Sequence, residues 1–216
     1  MRTIILSDAH GQPWLLENAL RHADTYDRVI FAGDILDIGL LHDDCEEILS
    51  DVGAEMMWGN HEQAILLDKR ITPQNPESFE WKGYLLGRYE RHDWKAAIAV
   101  EDVLITHAGV CEDYQRLYGY CDSIEHFAEE LDNRFHANAE SWWDDDSPTW
   151  YRPNHSNQPL HIMQVCGHTP AMNVPSFENF YIIDPFGPGF NKKTYKYAVI
   201  ENGAVHIEEG HIADGD

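Results

Sequence analysis

Short apolar runs recur along the chain, each followed within two residues by a glycine, a histidine or a carboxylate. They span Thr3 to Leu6, Arg28 to Ala32, Glu55 to Trp58, Val103 to Thr106, His161 to Cys166 and Phe180 to Ile183. Unalternating runs of this length, bounded by turn residues, read as strands covered on both faces, as in a parallel sheet. The intervening segments have helical spacing. Pro13 opens one in which Trp14, Leu15, Leu16, Ala19 and Leu20 form an apolar stripe, a second runs from about His42 to Asp51, and a third from about Glu62 to Lys69. Asp34 follows Asp8 by 26 residues and Asn60 follows Asp34 by 26, a spacing that suits two successive strand-helix-strand units. Pro73, Asn75 and Pro76 mark a loop, after which Phe79, Trp81, Tyr84, Leu85, Leu86 and Tyr89 read as helical packing. Ser123 caps a helix whose Ile124, Phe127, Leu131 and Phe135 face a core. Tyr197 to Glu201 and Ala204 to Glu208, joined by Asn202-Gly203, read as a β-hairpin. The alternation of elements predicts an α/β fold.

The 216 residues, 43% hydrophobic, suffice for a single domain over 1–216. The pattern changes at about 110–159, which predicts a helical, cap-like insertion. A net charge of -23 disfavours nucleic acid polymers and anionic membranes, whose partners present basic patches. No long apolar stretch occurs, and Met1-Arg2 runs directly into a strand-like segment, so a cytoplasmic location is expected. Cys45, Cys111, Cys121 and Cys166 show no C-x-x-C pairing. Cys111 and Cys121 are close enough in sequence to meet, but buried free thiols are the expectation.

Candidate chemistry lies where the runs end. Gly33-Asp34 closes the second run, Asp8-Ala9-His10-Gly11 follows the first, and Gly59-Asn60-His61-Glu62 follows the third. His107 closes the fourth and His168 follows the fifth, while Asp184 lies at the same edge outside the principal set. Singly, each has a plain structural reading: Asp8 and His10 as a capped turn, Asn60 as a helix cap, His61 and His107 as satisfied imidazoles. Together Asp8, His10, Asp34, Asn60, His107 and His168 offer three imidazoles and three oxygen donors at strand ends. Without thiolate, that set suits a pair of ions such as Mn, Fe or Zn, and Asp34 is placed to bridge ions roughly 3.5–4 Å apart. Such a pair serves phosphoryl transfer to water. Arg152, held among Trp150, Tyr151 and Pro153, is a candidate for bidentate phosphate contact. His42 reads as a surface histidine without a role. Trp142-Trp143 reads as a packed aromatic pair followed by a solvated acidic loop.

These motifs resemble the calcineurin-like metallophosphoesterases, and within them the phosphoprotein-phosphatase branch, which includes bacterial and phage enzymes and diadenosine tetraphosphatases. The resemblance rests on Asp8 to Gly11, Gly33 to Asp37, Gly59 to Glu62, His107 and Gly167-His168-Thr169-Pro170. It implies a β-sandwich flanked by helices (αββα) with the site at the carboxyl ends of the strands. It further implies that Asp8, His10 and Asp34 hold one divalent or trivalent ion and that Asp34, Asn60, His107 and His168 hold the other. Mn is expected foremost, with Fe, Zn, Ni or Co as alternatives. His61 is expected to protonate the leaving oxygen and Asp37 to orient it. The branch usually has arginine after the counterpart of Asp37, where this chain has Ile38. The expected activity is hydrolysis of phosphoserine and phosphothreonine in proteins, with a dinucleoside polyphosphate or other small phosphoester as the alternative. A metal-bound, catalytically weak binding module is a third reading, motivated by Ile38.

Overall fold

The computed structural model describes residues 1–118, 122–186 and 194–211. Strand β1 (Thr3–Leu6) leads through helix α1 (Pro13–Ala23) to β2 (Arg28–Phe31), and α2 (His42–Asp51) leads to β3 (Glu55–Met56). All three strands are parallel, with Ile4 opposite Val29 and Ile30 opposite Glu55, as the 26-residue spacing predicts. The third run is shorter than expected: pairing beyond Met56 is a single bridge from Met57 to Lys95. Helices α3 (Asn60–Leu66) and α4 (Lys82–Arg91) follow, then β4 (Ala97–Val100) and β5 (Val103–Thr106). Helices α5 (Glu112–Tyr118) and α6 (Ile124–Ala137) precede β6 (Met163–Cys166), β7 (Phe180–Ile182) and the hairpin β8 (Thr194–Glu201) and β9 (Ala204–His211).

The strands form two sheets, ordered β3-β2-β1-β8-β9 and β4-β5-β6-β7. Strand β4 lies where the sequence pattern predicts no element: Ala97 and Ala99 carry too little side chain for a strand period to register, and pairing with β5 decides the conformation. The hairpin turn is as expected, with Asn202 and Gly203 both at positive φ.

Because successive strand residues point to opposite faces, β1 serves two cores. Ile5 packs with Ile30, Ile98, Ile105, Val165 and Ala198 in a layer between the sheets. Ile4 and Leu6 join Leu15, Leu16 and Ala19 under the helices. Each fully buried aliphatic side chain contributes roughly 1.5–3 kcal/mol. The architecture is therefore the two-sheet sandwich with flanking helices that the motifs imply. Among the described residues no helix is long and apolar enough to cross a membrane. Cys45, Cys111 and Cys166 are buried and free, while Cys121 lies outside the described residues, as do residues 212–216 of the acidic tail after Gly210.

Helix α6 lies against β4 and β5. Its Phe135 meets Trp58 at 5.6 Å and Trp142 at 5.2 Å. The two adjacent tryptophans diverge rather than pair as expected: Trp142 is buried on Phe135, and Trp143 turns to Trp150 at 4.7 Å. Asp132 anchors the helix, its carboxylate accepting from Ala96 N at 2.8 Å and Lys95 Nζ at 3.0 Å. Burial raises the Asp132 carboxyl, but His136 and these donors outweigh it, and the net shift is downward. A depressed carboxylate stabilises the fold above the ordinary carboxylate range and loses that contribution as pH falls through its lowered pKa. Asp132→Ala leaves the Ala96 N–H without its partner and is expected to cost about 1–3 kcal/mol at neutral pH. In denaturant titrations the deficit from wild type should narrow on acidification; a gap that widens at low pH would contradict the assignment.

Candidate metal centre

The turns after β1 and β2 continue the parallel pairing past the strands. Asp8 N donates to Gly33 O at 2.9 Å, His10 N to Asp34 O at 2.9 Å and Gly11 N to Ile35 O at 2.7 Å. Asp8, His10, Asp34, Asp37, Ile38 and His168 all have left-handed backbones. Asp and His tolerate that region better than most residues, whereas a β-branched residue such as Ile38 is strained there.

Glu62 holds the second turn to the third. Its Oε2 accepts from Asp34 N and Gly59 N at 2.9 and 3.0 Å, and its Oε1 from Ile35 N and Leu36 N at 3.0 and 3.1 Å. His61 N in turn donates to Asp34 Oδ1 at 3.0 Å, which leaves Oδ2 facing the site. Only glycine fits at 59, since a Cβ there would lie 2.1 Å from Asp34 Oδ1.

Around Asp34 Oδ2 stand His107 Nε2 at 3.3 Å, His10 Nε2 at 3.6 Å and His61 Nε2 at 3.9 Å, with Asp8 Oδ1 3.9 Å from His10 Nε2. Asn60 Oδ1 lies 2.9 Å from both His107 Nε2 and His168 Nδ1. The outer nitrogens of three rings each meet a backbone carbonyl: His10 Nδ1 with Leu36 O at 2.7 Å, His107 Nδ1 with Ala32 O at 2.8 Å and His168 Nε2 with Trp150 O at 3.1 Å. A carbonyl only accepts, so each outer nitrogen carries the proton and, in the neutral ring, each inner nitrogen presents a lone pair. Lone pairs of three imidazoles, two carboxylates and one amide oxygen then converge on a buried space, an arrangement a cation satisfies and a neutral group does not. Asp34 with His10 and His61, and Asp34 with His107 and His168, form two groups whose ligand atoms lie within 4.8 Å of one another. The donors thus fit metal ions.

Electrostatics reflect the same crowding. Burial and the neighbouring Asp34 raise Asp8 to about 6, with His107 pulling the other way. Burial lowers His10 to about 4, and burial with His107 holds His168 well below the usual imidazole range. His107 is buried too, yet Asp34 lifts it to about 10. Burial alone would raise Asp34, but His107 and His61 hold it low. Burial and Asp34 raise Glu62 to about 7 against the pull of its amide donors.

All six expected ligands come together, and His61 and Asp37 lie beside them, with Nδ1 and Oδ2 2.5 Å apart. Burial lowers His61, but Asp34 and then Asp37 raise it by more, and the net shift is upward. Asp37 is braced by Asn75 N, which donates to Oδ1 at 2.9 Å, and its own N–H donates to His42 Nε2 at 3.1 Å. His42 is therefore buried and engaged, contrary to the surface reading; its ring fills the space next to Gly11. Arg152 is exposed and lines the cleft above the donors, one of its nitrogens 3.4 Å from Trp150 O. Sequence reasoning also missed Gln63, whose Oε1 accepts from Thr149 Oγ1 at 2.8 Å and Trp150 Nε1 at 2.9 Å. Its Nε2 donates to Ala139 O at 2.8 Å, so α3 fastens the 139–150 segment to the site. A glutamine one place past Glu62, inside a helix, carries no signal for that. Asp184, noted at the strand edge, is buried on the cleft wall, raised by burial and by Asp8.

A two-sheet sandwich with imidazole and oxygen donors converging at its strand ends defines a metal-dependent hydrolase. The chain belongs to the calcineurin-like phosphoesterase family, whose model matches residues 1–212. No curated protein matches. Solved structures of the same fold include a cold-active protein-tyrosine phosphatase of a psychrophile, Shewanella sp., 18% identical, with 98% of this chain and 80% of that one covered and a TM-score of 0.68. A serine/threonine phosphatase from Saccharomyces cerevisiae with similarity to human phosphatase PP5 is 14% identical, covering 100% and 81%, with a TM-score of 0.59. A candidate diadenosine tetraphosphatase is 18% identical, covering 97% and 93%, with a TM-score of 0.56.

Glu62 supplies the test of how the centre is held. Glu62→Gln replaces one acceptor oxygen with an NH₂ group aimed at backbone N–H donors, so the Asp34 turn must shift. Manganese affinity measured by calorimetry should fall about 10–100-fold, the range for losing a residue that orients ligands. Wild-type affinity in a folded Glu62→Gln protein would show that the turn holds without it.

Proposed function

We propose that this chain hydrolyses phosphomonoesters, with phosphoserine or phosphothreonine in proteins as the substrate, and that manganese is the working metal. The observation that carries the proposal is the His61–Asp37 pair, set against the metal donors at the floor of an open cleft of about 410 Å³. Asp8, His10 and Asp34 would hold one ion, and Asp34, Asn60, His107 and His168 the other, with Asp34 common to both. The chemistry the ions supply when bound is Lewis-acid activation of water and neutralisation of phosphate charge.

The protein's own groups do the rest. His61 lies within reach of Asp34 as the ligands do, but its Nδ1 meets the Asp37 carboxylate at 2.5 Å where the ligand rings meet backbone carbonyls, and a carboxylate partner favours the protonated ring an acid needs. Asp37 holds Nδ1–H, leaving Nε2–H to donate to the oxygen of the departing alcohol. Asn75 and His42 keep Asp37 in place for that task. Arg152 stands over the donors as the phosphate contact, and its place is set through the Trp150 carbonyl shared with His168. The intact His61–Asp37 pair argues against a catalytically weak binding module.

Hydrolysis of 4-nitrophenyl phosphate by the manganese-loaded protein tests this reading. His61→Asn should keep its metal and lose about 10²–10⁴-fold in kcat at a leaving group less activated than nitrophenol, with a smaller loss on nitrophenyl phosphate itself. Chelation should abolish turnover by wild type. Loss of metal together with activity, or unchanged kcat on the poorer leaving group, would remove His61 from the acid role.

A further inference from the structure

The cleft is chemically asymmetric, and the asymmetry follows the direction of the reaction. On one side Arg152 and His168 converge on the Trp150 carbonyl. Arg152 is the one arginine or lysine lining the cleft among the described residues. The other side surrounds His61. Ile38 follows Asp37 directly, and the Asn75 N–H donating to Asp37 brings Ile71 and Pro73 to the same wall. Phe186 closes it, its ring 5.1 Å from that of His10, which lies 4.8 Å from that of His61. The group leaving the phosphorus must sit on the His61 side, because His61 protonates it. Apart from Thr72 and the Asp184 carboxyl beside Phe186, that side is apolar.

Ile38 is the position at which a neutral wall is most telling. It is 40% exposed and at φ 59°, a backbone that strains a β-branched residue. Glycine, asparagine or aspartate would fit that conformation with less strain and more solubility, so packing and folding do not account for isoleucine there. Contact with a bound molecule does.

We infer that the leaving-group side of the cleft selects phosphomonoesters whose alcohol is apolar or aromatic, and disfavours those carrying a second negative charge near the phosphate. The inference rests on the phosphomonoesterase reading and moves its preferred substrate from phosphoserine and phosphothreonine to an alcohol with an apolar or aromatic tail. Water adds its oxygen to phosphorus, the bond to the ester oxygen breaks, that oxygen leaves with the His61 proton as a neutral alcohol, and the proton the water gives up is released to solvent, from which His61 is reprotonated. A tail on this alcohol meets Ile38, Ile71, Pro73 and Phe186, where an aliphatic or aryl group removes apolar surface from water. A second phosphate or a carboxylate there finds no lysine or arginine among the described lining residues, and the protein's net charge of -23 adds repulsion. A polyphosphate is accordingly a poorer fit than a single phosphate on an apolar carrier. The aromatic side chain of a phosphopeptide and a free aryl or arylalkyl phosphate share this chemistry.

Binding rather than turnover tests the wall, since aryl esters are intrinsically more reactive than alkyl esters. Calorimetric titration of the manganese-loaded protein with 2-phenylethylphosphonate, ethylphosphonate and 3-phosphonopropionate compares one headgroup with an aromatic, a short and an anionic tail. Wild type should bind the phenylethyl compound at least about tenfold more tightly than the ethyl compound, the scale of an apolar group in a pocket. It should bind the phosphonopropionate more weakly than the ethyl compound. Ile38→Ser and Ile71→Ser should each shrink the phenylethyl preference severalfold, and Ile38→Arg should reverse the discrimination against the carboxylate. A wild-type preference near one, or a preference unchanged in both serine variants, overturns the inference while turnover of 4-nitrophenyl phosphate leaves the functional reading standing. Failure of all three phosphonates to bind would sink that reading and the inference with it. If the wall prefers apolar tails, a higher kcat/KM for a phosphotyrosine peptide than for free phenyl phosphate assigns a peptide source, and the reverse order a small-molecule one.

Discussion

A buried carboxylate with four amide donors sets the geometry at the strand ends. Glu62 gathers the N–H groups of Asp34, Ile35, Leu36 and Gly59, and no water can replace it because the residue is fully buried. Leaving those donors unpaired would cost several times a single hydrogen bond, so the turn after β2 and the start of α3 hold one relative position. That position aims one oxygen of Asp34 at the His61 amide and the other at three imidazoles. The left-handed backbones of Asp8, Asp34 and His168 are tolerable because the same network overdetermines them.

The donor set uses the sandwich itself as its frame. Asp8, His10, Asp34 and Asn60 hang from the first sheet and the elements leaving it, His107 and His168 from the second. The apolar layer that presses Ile5 and Ile30 against Ile105 and Val165 is therefore also what brings the two halves of the ligand set together. Each imidazole is then turned by a carbonyl behind it, Leu36 O, Ala32 O or Trp150 O, so ring orientation is decided by backbone rather than by exposed side chains. The 139–150 segment belongs to this frame through Gln63, and through it Trp150 and Arg152 are placed relative to the donors.

Much of the site is legible in the order of residues, for particular reasons. Asp8, Asp34, Asn60, His107 and His168 each follow an apolar run, and the turn that ends a strand is a local event written in adjacent residues. The Asn-Gly hairpin and the Ser123 cap, whose Oγ accepts from His126 N at 3.2 Å, were legible for the same reason. Strand β4 was not, because its alanines carry no periodic signal and its pairing partner supplies the conformation. His42 looked like a surface residue amid acidic neighbours; the close approach of Gly11 and the Asp37 N–H bury it.

By itself, then, the order of residues determined which donors lie at strand ends, the parallel βαβ start and the absence of thiolate from the ligand set. These follow from short-range patterning, since strand period, turn chemistry and donor type are properties of neighbours in the chain. Only the tertiary structure decided that strands from two sheets share one core, that Glu62 and Gln63 are ties rather than helix surface, and that the wall beside His61 is apolar while Arg152 stands opposite. Those are contacts between residues tens of positions apart, whose partners are chosen by burial and hydrogen-bond satisfaction over the whole chain, and no local pattern encodes them.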